Sequence, residues 1–405
     1  MIAFLTKRIA YNILKLKFEA SEVHIMLAKK PPMGWNSWNT FGHNINEALI
    51  RETADAMVES GLKDAGYEYI VIDDCWSLRR RGPDGRIVPD PEKFPSGMKA
   101  LSDYIHSKGL KFGMYSDAGT KTCAGYPGSF EHEFVDAETF AEWGVDYLKY
   151  DFCNKPDLQN GPILYNRISM ALKATGRDIL LSACNWGSDH VETWIRSHGA
   201  DMYRSTGDIW DNFDSVRRIA RSQMDKIAYS APGCYNDMDM LICGMYSHGN
   251  VGGGEHGGCT DIEYRTHFAL WCLYQSPLMI GCDIRKMNDT TKALLTNPDL
   301  LAINQDEDAR PPIFFIGNNE SNVVGMLKHL SNGEYVFAFV NYSDHDAYAS
   351  CELYDIGLSA YAGYGFELTD IFTKEESGPY CDYFPAYRIA AHDIKILRAR
   401  LVKMH

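Results

Sequence analysis

The chain of 405 residues is 45% hydrophobic and 23% charged, the balance of a soluble globular protein large enough for two domains. Its net charge of −14 argues against nucleic acid or an anionic membrane surface as partner. The 11 cysteines form no CxxC pair and no Cys/His zinc spacing, so no structural metal is expected, and mostly free thiols favour a reducing compartment.

Residues 1–29 read as an N-terminal extension of uncertain role. Lys7, Arg8, Lys15 and Lys17 interrupt any apolar core of a secretory signal, so a cytoplasmic location is the expectation. Met26 is a natural first residue; the alternative for the extension is an amphipathic helix packed on the body or on a partner subunit. No apolar run is long enough to span a membrane.

From Lys30 to about residue 310, apolar stretches ending in acids or aromatics alternate with amphipathic ones. Strands are predicted at 33–38, 67–76, 110–119, 145–153, 178–186, 201–208, 227–239 and 276–284. The clearest helix is "NEALIRETADAMVESG", where Leu49, Ile50, Ala54, Met57 and Val58 recur at helical spacing between an Asn46 cap and Gly61. In "FPSGMKALSDYIHSKG", Met98, Leu101 and Ile105 share a side and Gly109 terminates. Eight strands joined by helical connections predict a (β/α)8 TIM barrel over 30–310. An open doubly wound sheet would want a glycine-rich phosphate turn after the first strand, and "GWNSWNTFG" is not one. Over 311–405, period-two alternation between Asn-Gly, Ser-Asp and Gly-Pro turn signals predicts a C-terminal antiparallel β-sandwich.

Chemistry in such a barrel belongs at the C-terminal ends of the strands. Asp73, Asp74, Asp117, Asp151, Asp208, Asp239 and Asp283 all gather there. Asp117 and Asp283 could merely cap the following segment. In "VDYLKYDFCNK", Lys149 and Asp151 share a face, roughly 6.6 Å apart along the strand. That spacing lets the ammonium hold Asp151 ionised, although a purely structural ion pair would look the same. Arg204 precedes Asp208 by four residues. Three chemistries compete for this cup: a divalent-metal enzyme, a non-catalytic sugar-binding protein, and a glycosidase. The 13 histidines largely avoid strand ends, which counts against the first. Only the glycosidase needs two carboxyls in unlike settings.

The stretches "KPPMGWNSWNTFG", "IDDCW", "FPSGMKALSDYIHSKGLKFGMYSDAG", "WGVDYLKYDFC", "RSTGDIWDN" and "NDMDML" together resemble the α-galactosidases (melibiases) of glycoside hydrolase family 27. The resemblance implies a retaining enzyme without cofactor or metal, acting on terminal α-galactosyl residues of oligosaccharides or glycoconjugates. It implies Asp151 as nucleophile and Asp208 as acid/base. It implies Asp73 and Asp74 on the galactose 4- and 6-hydroxyls, Lys149 on the 3- and 4-hydroxyls and Arg204 near the 2-hydroxyl. Asp239 and Met240 fall at the pocket floor, and Trp38 and Tyr115 on its walls. Cys184 and Trp186 match one branch at the 2-position, where the bulk of Trp186 favours galactose over N-acetylgalactosamine; the alternatives are an α-N-acetylgalactosaminidase or related glycosidase, or silent galactose binding. Cys123 and Cys153 fall near strand ends and match a familiar disulfide pair, whereas the usual partner of Cys75 is missing from "NTFGHN". The glycine-rich stretch 243–261 should rim the mouth, serving substrate access or a subunit contact; a homo-oligomer is left open.

Overall fold

The computed structural model describes residues 26–252 and 257–404, and the predicted extension therefore lies almost wholly outside the described residues. Eight parallel strands form the first domain: β1 Met33–Asn36, β2 Tyr69–Val71, β3 Lys111–Asp117, β4 Tyr147–Asp151, β5 Leu180–Cys184, β6 Met202–Arg204, β7 Tyr235–Asp237 and β8 Leu278–Ile280. They pair in the order β7-β6-β5-β4-β3-β2-β1-β8. The ring closes just beyond β7, where Leu241 N–H donates to the Met279 carbonyl (2.8 Å) and Gly281 N–H to the Leu241 carbonyl (2.9 Å). The TIM barrel is as predicted.

Strand periodicity sorts the side chains into two layers. Outward-facing Trp35, Ile70, Phe112, Met114, Leu148, Tyr150 and Leu181 are buried against the helices. Inward, Tyr69, Val71, Tyr147, Leu180, Met202, Tyr235 and Met279 plug the lower barrel together with Leu27 and Ala28. Ala28 accepts from Gly233 N–H (2.8 Å), so residues 27–29 close the base of the barrel.

Helix α1 (Glu47–Glu59) starts as expected, with the Asn46 side chain accepting from Leu49 N–H, and it buries Leu49, Ile50, Ala54 and Met57. Val58, assigned to that face from the sequence, is instead exposed. Helix α2 (Gly97–Ser107) buries Met98, Leu101 and Ile105. Next come α3 (Glu133–Trp143), α4 (Gly161–Ala174), α5 (Phe213–Ser222) and α6 (Asp261–Leu273). No α-helix joins β5 to β6. Two 3-10 turns, Ser188–Thr193 and Ile195–His198, do so, because Asp189 and His190 adopt left-handed φ values of 58° and 54° that a helix cannot continue through.

Several paired strands are shorter than predicted. The 67–76 stretch pairs only over Tyr69–Val71, and the acids beyond it lie in the loop at the barrel mouth. No helix among the described residues is long and apolar enough to cross a membrane.

After α7 (Asp289–Leu295) and α8 (Pro298–Asn304), a six-stranded antiparallel sheet begins at Ile313 and ends at Lys403. Its central strand, Tyr335–Asn341, shows why two layers form. Val336, Ala338 and Val340 face the barrel core, while Phe337 and Phe339 face a second cluster with Leu353, Phe384 and Ile389. The outer layer of this sandwich is only a two-stranded ribbon, Ala347–Ala349 with Tyr387–Ile389. Direct contacts fasten the domains: Arg265 pairs with Asp393 at 2.6 Å and the Lys328 ammonium donates to Gln275 Oε1 at 2.8 Å.

Candidate active site

A cavity opens at the C-terminal ends of the strands. It is lined by Trp38, Asp73, Asp74, Tyr115, Lys149, Asp151, Cys184, Trp186, Arg204, Asp208, Asp239 and Met240, every residue to which the resemblance gives a catalytic or binding role; the strand-end acids Asp117 and Asp283 do not line it. Cys123 also lines it, and Cys123 and Cys153 are disulfide-bonded with a Cα–Cα distance of 5.1 Å. Asn39, Ile209 and Val251 complete the wall and were missed. Asn39 sits on the one-turn helix Trp38–Phe41, inside the quoted "GWNSWNTFG", and Val251 in the glycine-rich stretch after β7; neither carries a charge to flag it.

The Lys149 ammonium does not bond Asp151. It donates to Asp73 Oδ2 at 2.7 Å, and that oxygen also accepts from Asn36 Nδ2 at 2.8 Å. The register explains this: β3 lies between β2 and β4, and the long lysine reaches past it to the loop after β2. Asp74 accepts from the backbone N–H of Cys75 (2.7 Å) and Ala124 (3.0 Å).

Asp151 accepts from the Tyr115 hydroxyl (3.0 Å) and its neighbour Phe152 N–H (3.0 Å). Burial pushes its carboxyl up to about 6; Lys149 opposes the rise and Asp73 adds to it. Lys149 thus favours the ionised form of Asp151 through space and without a bond, while burial outweighs it in setting the net shift. Asp117, at the end of β3, caps no helix. It accepts from Gly119 N–H (2.7 Å) and Cys153 N–H (3.0 Å), and burial followed by Asp151 raises it to about 9. Asp283 accepts from Arg285 N–H and caps a short 3-10 turn.

Across the cavity, Arg204 donates to Asp208 Oδ1 and pairs with Asp239 Oδ1, both at 2.7 Å. Partial burial lifts the Asp208 carboxyl, but the Arg204 charge, with Lys149 behind it, outweighs that and holds it below the ordinary carboxylate range. Its side chain is 67% exposed. Asp239, at φ +81°, accepts from Ile209 N–H (2.7 Å) and Met240 N–H (2.8 Å). Trp186, at φ +57° and 37% exposed, stands at the mouth. Left-handed backbone at such non-glycine residues is strain that the surrounding bonds must hold.

A barrel with two carboxyls in opposite electrostatic settings, ringed by fixed donors and acceptors, defines the class of carboxyl-pair barrel enzymes. The comparisons narrow this. The family model described as alpha galactosidase A matches residues 30–306, and the chain belongs to that family. It is 50% identical over 282 residues to an α-galactosidase of Cyamopsis tetragonoloba, a match covering 69% of this chain and 66% of that protein. An α-galactosidase of Schizosaccharomyces pombe is 37% identical over 412 residues, covering 93% and 91%. An α-galactosidase structure from Saccharomyces cerevisiae with raffinose superposes with a TM-score of 0.82 at 27% identity, covering 93% and 98%.

Proposed function

We propose that the protein is a retaining α-galactosidase that releases terminal α-galactose through a covalent glycosyl-enzyme. The observation that carries this is the shared cavity of Asp151 and Asp208, one buried and held by two donors, the other beside a cation at the mouth. Asp151 attacks the anomeric carbon while Asp208 gives its proton to the departing oxygen. Asp208 then takes a proton from water, whose oxygen displaces Asp151 and restores the α configuration.

The recognition chemistry fits galactose. Asp73, Asp74 and Lys149 are fixed by the bonds described above, so a sugar whose 4-hydroxyl points elsewhere fails to meet donors and acceptors that cannot move to it. Membership in the family and the raffinose-bearing yeast relative support an oligosaccharide substrate. Cys184 and Trp186 line the same cavity, and the resemblance implies them at the 2-position, where the bulk of Trp186 favours galactose over its N-acetylated analogue.

The test is release of p-nitrophenol from its α-galactoside, with the anomer of newly freed galactose followed by NMR. First appearance of the α anomer, and loss of release in Asp151→Asn, support the reading. Galactose binding without turnover would establish the silent binder instead, and faster cleavage of the α-N-acetylgalactosaminide would move the specificity.

A further inference from the structure

The acid/base carboxyl sits on a stretch, Ser205–Asn212, that has neither strand nor helix to hold it between β6 and α5. Its placement therefore depends on individual anchors. Close to Asp208 these are Arg204 on its carboxylate, Arg218 on its carbonyl (3.4 Å), Asp239 on Ile209 N–H and Ser215 Oγ on Trp210 N–H (3.0 Å). Further along comes the carboxylate of Asp211, which is fully buried and ties the stretch to the segment after β7.

Asp211 accepts three hydrogen bonds, from Ser247 N–H (2.7 Å), Cys259 N–H (3.1 Å) and the Tyr264 hydroxyl (2.8 Å). Its own N–H donates to the Val251 carbonyl at 3.0 Å. Val251 N–H in turn donates to the Asn39 carbonyl (3.0 Å), and Asn250 N–H to that of Thr40 (3.2 Å). The segment after β7 is thereby strapped from the loop after β1 to the loop bearing Asp208. Close backbone approach sets the glycines here. A Cβ on Gly258 would meet Asp211 Oδ2 at 2.6 Å, and one on Gly249 would meet Thr40 Cα at 2.7 Å. Asn39, Ile209 and Val251, all on this strap or the segments it joins, line the cavity.

Resting on the α-galactosidase reading, we propose that Asp211 is a positioning residue that locks Asp208 and the Val251 wall into one unit around the leaving group. Nucleophilic attack needs Asp151 and the floor, which Asp211 does not touch. Protonation of the departing oxygen needs Asp208 at a fixed distance and angle, and a misplacement near 1 Å can cost about a hundredfold. Asp211 therefore matters in proportion to how much proton help the leaving group requires.

The experiment compares kcat/KM for p-nitrophenyl α-galactoside, whose leaving group needs little help, with that for raffinose, whose leaving sugar needs much. Asp211→Asn keeps the shape but turns one acceptor oxygen into a donor facing a donor. The raffinose to p-nitrophenyl ratio is expected to fall by about tenfold or more. Tyr264→Phe removes one bond of three and should lower the same ratio by about two- to threefold; it carries the test alone if Asp211→Asn does not fold. Equal losses on both substrates, or no loss, overturn the inference while leaving the α-galactosidase reading intact. A wild-type protein inert on both substrates overturns that reading and this inference together.

Discussion

The floor and the mouth of the cavity are built on opposite terms. At the floor, Asp73, Asp239 and Arg204 are nearly dry, and each charge has an opposite partner at 2.7 Å. At the mouth, Asp208 keeps two thirds of its side chain in water and Trp186 more than a third of its surface. Dry paired charges are costly to rearrange, so the floor can read a sugar's stereochemistry. A wet carboxyl can change its protonation as substrate displaces water, which an acid/base must do twice per turnover.

Removing the buried carboxyl proposed to react is the most severe way to break this contrast. Asp151→Asn eliminates the proposed nucleophile, and hydrolysis should fall by about 10⁴-fold or more on every α-galactoside. Stability should move the other way. Folded Asp151 titrates near 6 against a usual 3.8, so between those values the native state binds more protons than the unfolded one. Its contribution is favourable below the lower value and lost as pH rises through the upper. Asp151→Asn should therefore melt at a higher temperature than wild type at pH 7, by calorimetry, with the gap closing toward pH 4.

At the mouth the loss is smaller and selective. Asp208→Asn should cost about 10²–10⁴-fold on raffinose. The cost on p-nitrophenyl α-galactoside should be much less, with a burst of p-nitrophenol before slow steady turnover, because the second step still lacks its base. A uniform loss on both substrates would show that Asp208 shapes the pocket rather than carrying the proton.

How far this contrast is legible in the sequence depends on reach. The strand-end acids, the barrel, the alternating final domain and the cavity lining follow from periodicity, position and resemblance. Pairing across the barrel does not. Lys149 is two residues from Asp151 but bonds Asp73, 76 positions away, and no local spacing encodes that. Asp211 passes for a helix cap, yet Asn212 next to it already caps α5 by accepting from Ser215 N–H. That redundancy was the available signal that Asp211 serves something else. Its partners lie 36 to 53 residues on, across a glycine-rich loop. The missing β5–β6 helix was hidden because "SDHVETWIRSH" holds no Gly or Pro to break a helix, and only the backbone reveals the left-handed pair.

Acidity compares the two ends again, with a milder effect. The productive state needs one proton on the pair, on Asp208 with Asp151 ionised. At rest the preferences run the other way, with Asp208 held low and Asp151 near 6. The singly protonated pair still exists only between those two values, wherever the proton spends most time. The free-enzyme profile, kcat/KM, should thus peak below about pH 6 and lose about tenfold per pH unit above it. A maximum above pH 7 would mean that the charges around the pair sit elsewhere, most directly that Arg204 does not contact Asp208.

The smallest effect tests the wall that joins floor to mouth. The Cys123–Cys153 disulfide ties the loops after β3 and β4 beside Asp151, and the same loop carries Ala124 N–H onto Asp74. Opening a closure of 30 residues should lower stability by about 3–4 kcal/mol on chain-entropy grounds. Activity should change far less, since other bonds keep the loops together. Thr120 N–H and Asn154 Nδ2 cross between them, and Ala118 N–H donates to the Asp151 carbonyl at 2.9 Å. Cys123→Ser, or treatment with a dithiol, should therefore raise KM about two- to fivefold through a looser Asp74 and leave kcat nearly unchanged. A drop in kcat instead would show that the bond holds the nucleophile itself, and that floor and wall are one rigid body rather than two.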